Sequence, residues 1–180
     1  NLVYIAKSLG LNEVSEYWHQ VIKINDYQKR RFAQKIIKSL FGTVSNKKIT
    51  FFGWAFKKDT NDTRESAAIY VADFLIENGA KICVYDPKVS EQQMLSDLDY
   101  LNSRSSEENK NALSYYSDPL KACENSHAVA VITEWDEFKS YDWHKIYDNV
   151  MSPAKVFDGR NILDKQMLED IGFEVYLIGK

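Results

Sequence analysis

From Lys47 onward, short apolar runs alternate with stretches whose apolar residues recur every three or four positions. This alternation constrains the fold more than any other feature of the chain. The runs at 49–52, 81–85, 128–133, 155–158 and 173–178 read as strands. The first stops at Gly53, the second at Asp86-Pro87 and the fourth at Asp158-Gly159. Between them, 66–78 (closed by Gly79), 89–98, 118–124 (opened by Asp118-Pro119), 143–150 and 165–171 read as helices. Residues 102–111 are polar, charged and aperiodic, and are expected to form a surface loop. Strands that alternate with helices predict an α/β fold with a Rossmann-like, doubly wound parallel sheet.

A long helical segment precedes that sheet. Val14, Trp18, Val21, Ile22 and Asn25, then Phe32, Ile36 and Leu40, recur at helical steps. Asn12 and Glu13 suit a helix start, and Gly42 suits a stop. A helix over 13–41 is roughly 40 Å long at 1.5 Å per residue, more than a small sheet needs as cover. It is expected either to pack on other parts of a longer chain or to form a dimer, and the two are compatible. The division expected is 1–42 as a helical dimerisation segment and 43–180 as the α/β domain. The chain opens on Asn1 already within a helical pattern spanning 2–9, so it reads as a piece of a longer protein.

Composition removes several classes of function. Lys and Arg number 23 against 26 Asp and Glu, a net charge of -3, so no broad cationic surface exists for nucleic acid or anionic lipid. No apolar run approaches the ~18 residues of a membrane span, and no leader is visible. Cys83 lies in an apolar strand and Cys123 in a short helix. Both read as core packing in a reducing, cytoplasmic setting. His19, His127 and His144 lack metal-ligand spacing, so no metal is expected.

In a doubly wound sheet, ligands bind beyond the carboxyl ends of the strands. Three strand ends carry unusual residues. After 49–52 comes Gly53-Trp54-Ala55-Phe56-Lys57-Lys58-Asp59-Thr60, then Asn61-Asp62-Thr63-Arg64-Glu65-Ser66. Gly53 is its lone glycine, so this is no dinucleotide fingerprint. A helix amino terminus near Ser66 adds donors and a dipole that favour an anion. On residue type alone, Asp59, Asp62, Arg64 and Glu65 read first as loop ion pairs and helix caps. Asp86 reads either as a ribose acceptor or, better without the fingerprint, as a turn former. Arg160 follows Gly159 at the rim that Lys57 also occupies, and suits an anion. No nucleophile–base pair emerges, and no catalytic residue is assigned.

Together, FFGWAFKKDTNDTRES, VYDPKV, ITEWDEF and FDGRNILD resemble UDP-glucose 6-dehydrogenase in order and spacing, and NDYQKRRF resembles its central helical segment. The resemblance implies an enzyme that oxidises UDP-glucose to UDP-glucuronate with two NAD through a catalytic cysteine. That cysteine's Cys-Phe-x-Lys-Asp segment would lie before Asn1, and neither Cys83 nor Cys123 matches it. The glycine-rich NAD fingerprint is absent too, so NAD would be held mainly by a domain outside this chain. The resemblance further implies that Phe56, Lys57 and Arg160 bind the substrate, that Arg64 reaches NAD, and that the protein is a homo-oligomer with a dimer formed through 13–41. A chain of this kind is expected to bind UDP-glucose and to be inactive alone. The alternatives are a non-catalytic oligomerisation module, or a dehydrogenase of another nucleotide sugar such as GDP-mannose or a UDP-N-acetylhexosamine.

Overall fold

The computed structural model describes residues 2–179. Helix α1 (Leu2–Ser8) leads through a tight turn into α2 (Asn12–Ser39), and β1 (Lys48–Phe52) begins the sheet. There follow α3 (Ala67–Glu77), β2 (Lys81–Tyr85), α4 (Glu91–Leu101), α5 (Ser106–Ala112) and β3 (Leu113–Tyr115). The second half holds α6 (Pro119–Cys123), β4 (Ala128–Val131), a 3-10 turn (Asp136–Ser140), α7 (Trp143–Asn149), β5 (Lys155–Asp158), α8 (Lys165–Ile171) and β6 (Glu174–Leu177).

The six strands are all parallel in the order β3-β2-β1-β4-β5-β6. The predicted doubly wound α/β sheet is what the chain forms. Successive side chains of a strand point to opposite faces. All four residues of β4 and of β5, and 49–52 of β1, are buried, so both faces of the sheet are covered. One set of packed helices runs α2, α3, α4, α5, and the other α6, α7, α8. Between them lies an aromatic-rich core. Phe51, Phe52, Trp54, Phe138, Trp143 and Phe157 are fully or almost fully buried. Each such ring contributes about 1.5–3 kcal/mol by leaving water. Phe52 is the hub, with the rings of Phe138, Tyr141 and Trp143 centred 5.2, 5.7 and 6.1 Å away.

The chain departs from its sequence reading at 102–111. Only the start of that stretch is irregular; 106–112 is helix α5, which delivers the edge strand β3. A capping box explains the helix: the Ser105 hydroxyl accepts from Glu108 N, while the Glu108 carboxylate accepts from Ser105 N at 2.9 Å. At the front, α2 starts at Asn12 without a side-chain cap, and Gly42 N closes its end on Ile37 O at 3.0 Å. The last turns of α2 belong to the sheet domain's core, since Ala33, Ile36 and Leu40 are buried with it.

Candidate functional site

The strand order reverses between β1 and β4: the chain builds outward on one side as β1, β2, β3, then crosses to β4, β5, β6. Loops leaving the carboxyl ends of β1 and β4 therefore diverge and open a crevice. Gly53, the first residue past β1, sits at φ 96°, and a Cβ there would lie 2.3 Å from Thr133 Cβ. Only glycine lets the β1 and β4 loops approach so closely before they part. Thr133 then donates its hydroxyl to Ala55 O at 2.7 Å, which stitches the loops together.

Two buried acids set the loops' paths. Asp86, at the end of β2, accepts from Trp54 N (2.7 Å), Ala55 N (3.0 Å) and Trp135 Nε1 (3.2 Å) on Oδ2, and from Lys88 N and Val89 N on Oδ1 (2.8 and 2.9 Å). Both of its oxygens are thus taken by the protein, so it organises turns and does not serve as a ribose acceptor. Asp158, the last residue of β5, does likewise: Oδ1 accepts from Arg160 N, and Oδ2 from Ile162 N and Leu163 N, at 2.8, 2.8 and 2.9 Å. No signal short of the structure distinguishes these loop-organising acids from ligand-binding ones, because their residue type and strand-end position are the same.

Arg160 reaches back across β4. Its Nε donates to Ile132 O (2.6 Å), its Nη2 donates to Phe56 O (3.1 Å), and Glu134 lies 3.2 Å from Nε. Phe56 N in turn donates to Asp62 O at 2.8 Å. The structure thus brings Arg160 and the Phe56-Lys57 turn together on one rim. The two neighbouring lysines differ. Lys58 Nζ bonds Asp136 Oδ2 at 2.5 Å, whereas among the described residues Lys57 is exposed with no hydrogen-bond or ion-pair partner. Asp136 is held down to about 2 by the hydrogen bonds from Lys139 and Lys58, so the pair stays charged at neutral pH.

Arg64 stands farther out on the same loop. Asp62 clamps it at two points, Nε to Oδ1 at 3.0 Å and Nη2 to Oδ2 at 2.7 Å, and the Arg64 hydrogen bonds pull the Asp62 carboxyl down to about 2. The Arg64 side chain is still 86% exposed, so its outer edge faces solvent. The loop-ion-pair reading of Asp62 and Arg64 is therefore realised, and it leaves Arg64 presented for contact. Ser66 caps α3 by accepting from Ala68 N at 3.3 Å and donates to Trp54 O at 2.7 Å.

Behind the rim is a cleft of about 430 Å³ between α2, the start of α3 and the ends of β4 and β5. Phe56, Gly159 and Arg160 line it from the sheet side, and Asn25, Asp26 and Lys29 from α2. The helical segment thus contributes to the crevice, which the sequence reading did not anticipate. Its size suits a small ligand. Phe56 is 47% exposed, a large flat apolar surface at the mouth. Neither cysteine joins this site: Cys83 and Cys123 are buried, and burial pushes both thiols up, Cys123 to about 12.

A parallel α/β domain whose cation-bearing loops meet at the strand-order switch is of the kind nucleotide-sugar dehydrogenases carry. The profile described as UDP-glucose/GDP-mannose dehydrogenase family, UDP binding domain, matches residues 50–165, and the chain belongs to that family. Among curated relatives, the UDP-glucose 6-dehydrogenase of Drosophila melanogaster is 52% identical over 181 residues, covering 100% of this chain and 38% of the relative. UDP-glucose 6-dehydrogenase 4 of Arabidopsis thaliana is 52% identical over 190 residues, again across 100% of this chain and 39% of the relative. The chain therefore spans well under half the length of these relatives. A UDP-glucose dehydrogenase structure from Pyrobaculum islandicum superposes with a TM-score of 0.70 at 24% identity, covering 97% of this chain and 34% of that one. It speaks for the fold alone. The resemblance carried by the strand-end motifs and the opening helices agrees with all three.

Proposed function

We propose that this chain is the part of a UDP-glucose 6-dehydrogenase that holds the UDP-sugar, within an enzyme that oxidises UDP-glucose to UDP-glucuronate with two NAD. The observation that carries this reading is the junction of Arg160 with the Phe56-Lys57 turn at the sheet's switch point. Arg160 is braced by two carbonyls and Lys57 is unengaged among the described residues, so a fixed fork and a mobile point charge stand on loops that Phe56 O joins. A diphosphate is the group that such a pair suits. Phe56 flanks the sugar side of the pocket. Arg64, clamped on one edge, offers the other to NAD held by a domain outside this chain. The catalytic nucleophile also belongs outside the chain, so the chain alone binds substrate without turning it over.

The helical segment supports association. Along α1 and α2, Leu2, Tyr4, Ile5, Leu9, Leu11, Val14, Tyr17, Trp18, Val21, Ile22, Ile24 and Tyr27 are all exposed. So extensive an apolar face marks an interaction surface, and we assign it to a homo-oligomer in which 13–41 forms a dimer. Residues 1–42 are then the association segment and 43–180 the nucleotide-sugar domain, with the last turns of α2 serving both. Two free thiols are consistent with a reducing, cytoplasmic location.

Calorimetric titration of the chain with UDP-glucose and with UDP tests the binding role. Saturable binding of both is expected, with no NAD reduction. Lys57→Ala and Arg160→Gln should each weaken UDP by about tenfold to a hundredfold, the loss of one charge-assisted bond of about 1.5–3 kcal/mol. Unchanged affinity in either variant refutes the assignment of that residue, and a preference for GDP-mannose would redirect the sugar assignment.

A further inference from the structure

A second cleft lies on the other side of α2, at the β6 edge of the sheet, with a volume of about 360 Å³. Gln28, Phe32 and Ile178 line both this cleft and the first, so they form the wall between them. Four cations line the second cleft, Arg31, Lys35 and Lys38 from α2 and Lys165 from the start of α8, and no acid among the described residues does. Arg31, Lys35 and Lys38 are spaced four and three residues apart, which places them on one helical stripe. That stripe faces Lys165 across the cleft. In a chain of net charge -3, a concave surface lined by one sign of charge is a marked local reversal.

The existing contacts leave these charges largely uncompensated. Among the described residues, Arg31, Lys35 and Lys38 have no carboxylate partner; Arg31 reaches only the Gln28 amide oxygen at 3.5 Å. Lys165 has Glu169 at 3.4 Å. Lys35 sits over the Tyr176 ring, 4.7 Å from its centre, while Phe157 stacks on that ring at 4.7 Å and 8°. Tyr176 thereby fixes the position of a cation, and with both faces occupied it offers no stacking surface to a ligand. Convergent like charges repel one another, and a concave site concentrates their field. An anion with several charges spread over a few ångströms relieves that repulsion at every cation together.

We propose that the cleft between α2 and β6 is a binding site for an oligophosphate group, held by Arg31, Lys35, Lys38 and Lys165. The recognised chemistry is the phosphate chain itself. A nucleoside triphosphate and free inorganic oligophosphate both carry it, and neither needs a base pocket here. The site is separate from the UDP crevice and stands whether or not that crevice is correctly assigned.

Calorimetric titration of the chain with inorganic triphosphate, in the presence of saturating UDP, tests this. One equivalent should bind, and adenosine triphosphate should bind within a fewfold of it. Lys35→Gln combined with Lys38→Gln should weaken triphosphate at least about tenfold while leaving UDP affinity unchanged. Arg31→Gln with Lys38→Gln should do the same, and circular dichroism should show both double variants folded, as exposed side chains predict. The proposal is overturned if wild type binds no triphosphate, if the double variants bind it as tightly, or if Arg160→Gln abolishes triphosphate binding and they do not. Equal competition by sodium sulfate at matched ionic strength, or a strong preference for the adenosine compound, would overturn recognition of the phosphate chain. Failure of UDP to bind would count against the proposed enzyme role and leave this site intact.

Discussion

Asp86 accepts five N–H groups with one carboxylate, in a place where its side chain is 1% exposed. A buried carboxylate is tolerated because every lone-pair direction meets a donor. Asp86→Asn keeps the shape but turns an NH2 group toward amides that need an acceptor. The variant is expected to lose about 3 kcal/mol of stability, the penalty of one or two stranded donors and a lost charge. A urea titration measures it; a loss below about 1 kcal/mol would show that the turn tolerates an amide. The same residue shows why single residues are hard to interpret in sequence. Asp86 and Arg160 both follow strand ends and both are charged residue types. In the structure both are held by partners in the protein, whereas Lys57, a few residues from Asp86's amides, has none among the described residues.

At the scale of elements, α1 and α2 do two jobs on one continuous stretch. The carboxyl-terminal turns are anchored by Ala33, Ile36 and Leu40 in the core, while the first turns leave Trp18 and Val21 to solvent. Trp18→Glu should therefore leave the sheet domain folded and weaken self-association at least about tenfold, read by sedimentation velocity across a concentration series. An unchanged association constant would remove α2 as the interface. The main strands and helices were legible because a strand buried on both faces needs a continuous apolar run, and 49–52 and Ala128–Val131 have one. Helix α5 and β3 escaped for the opposite reason. Residues 102–112 cover an edge and bury only Asn109 and Ala112 of the helix, so no apolar period betrays them. Ser105 and Glu108, three apart, were the available signal. Three residues of β3 are too few for alternation to register. The candidate crevice was legible in the cations that follow β1 and β5; its α2 wall was not, because Asn25, Asp26 and Lys29 look like any solvated helical face.

For the whole molecule, the order β3-β2-β1-β4-β5-β6 decides what can meet. Crossing from β1 to β4 places 53–66, 132–136 and 159–163 around one opening, although Phe56 and Arg160, which meet there, are 104 residues apart in sequence. Helix α2 then lies over the sheet's far half and divides the outer space in two, with Phe32 edge-on to Phe157 at 6.4 Å as the partition. The chain covers 38% of its Drosophila relative; on the proposed function, the opening is one side of a site that residues outside this sequence would complete.

The twin acids at the ends of β2 and β5 have a kinetic consequence. Because Asp86 and Asp158 already hold the amides of 54 and 55 and of 160, 162 and 163, on the proposed function UDP would meet loops that need no rearrangement, and association should be a single encounter step without a slow conformational phase. Stopped-flow mixing of UDP with the chain should then give an observed rate that rises linearly with ligand concentration; a plateau would mean that the loops must first open.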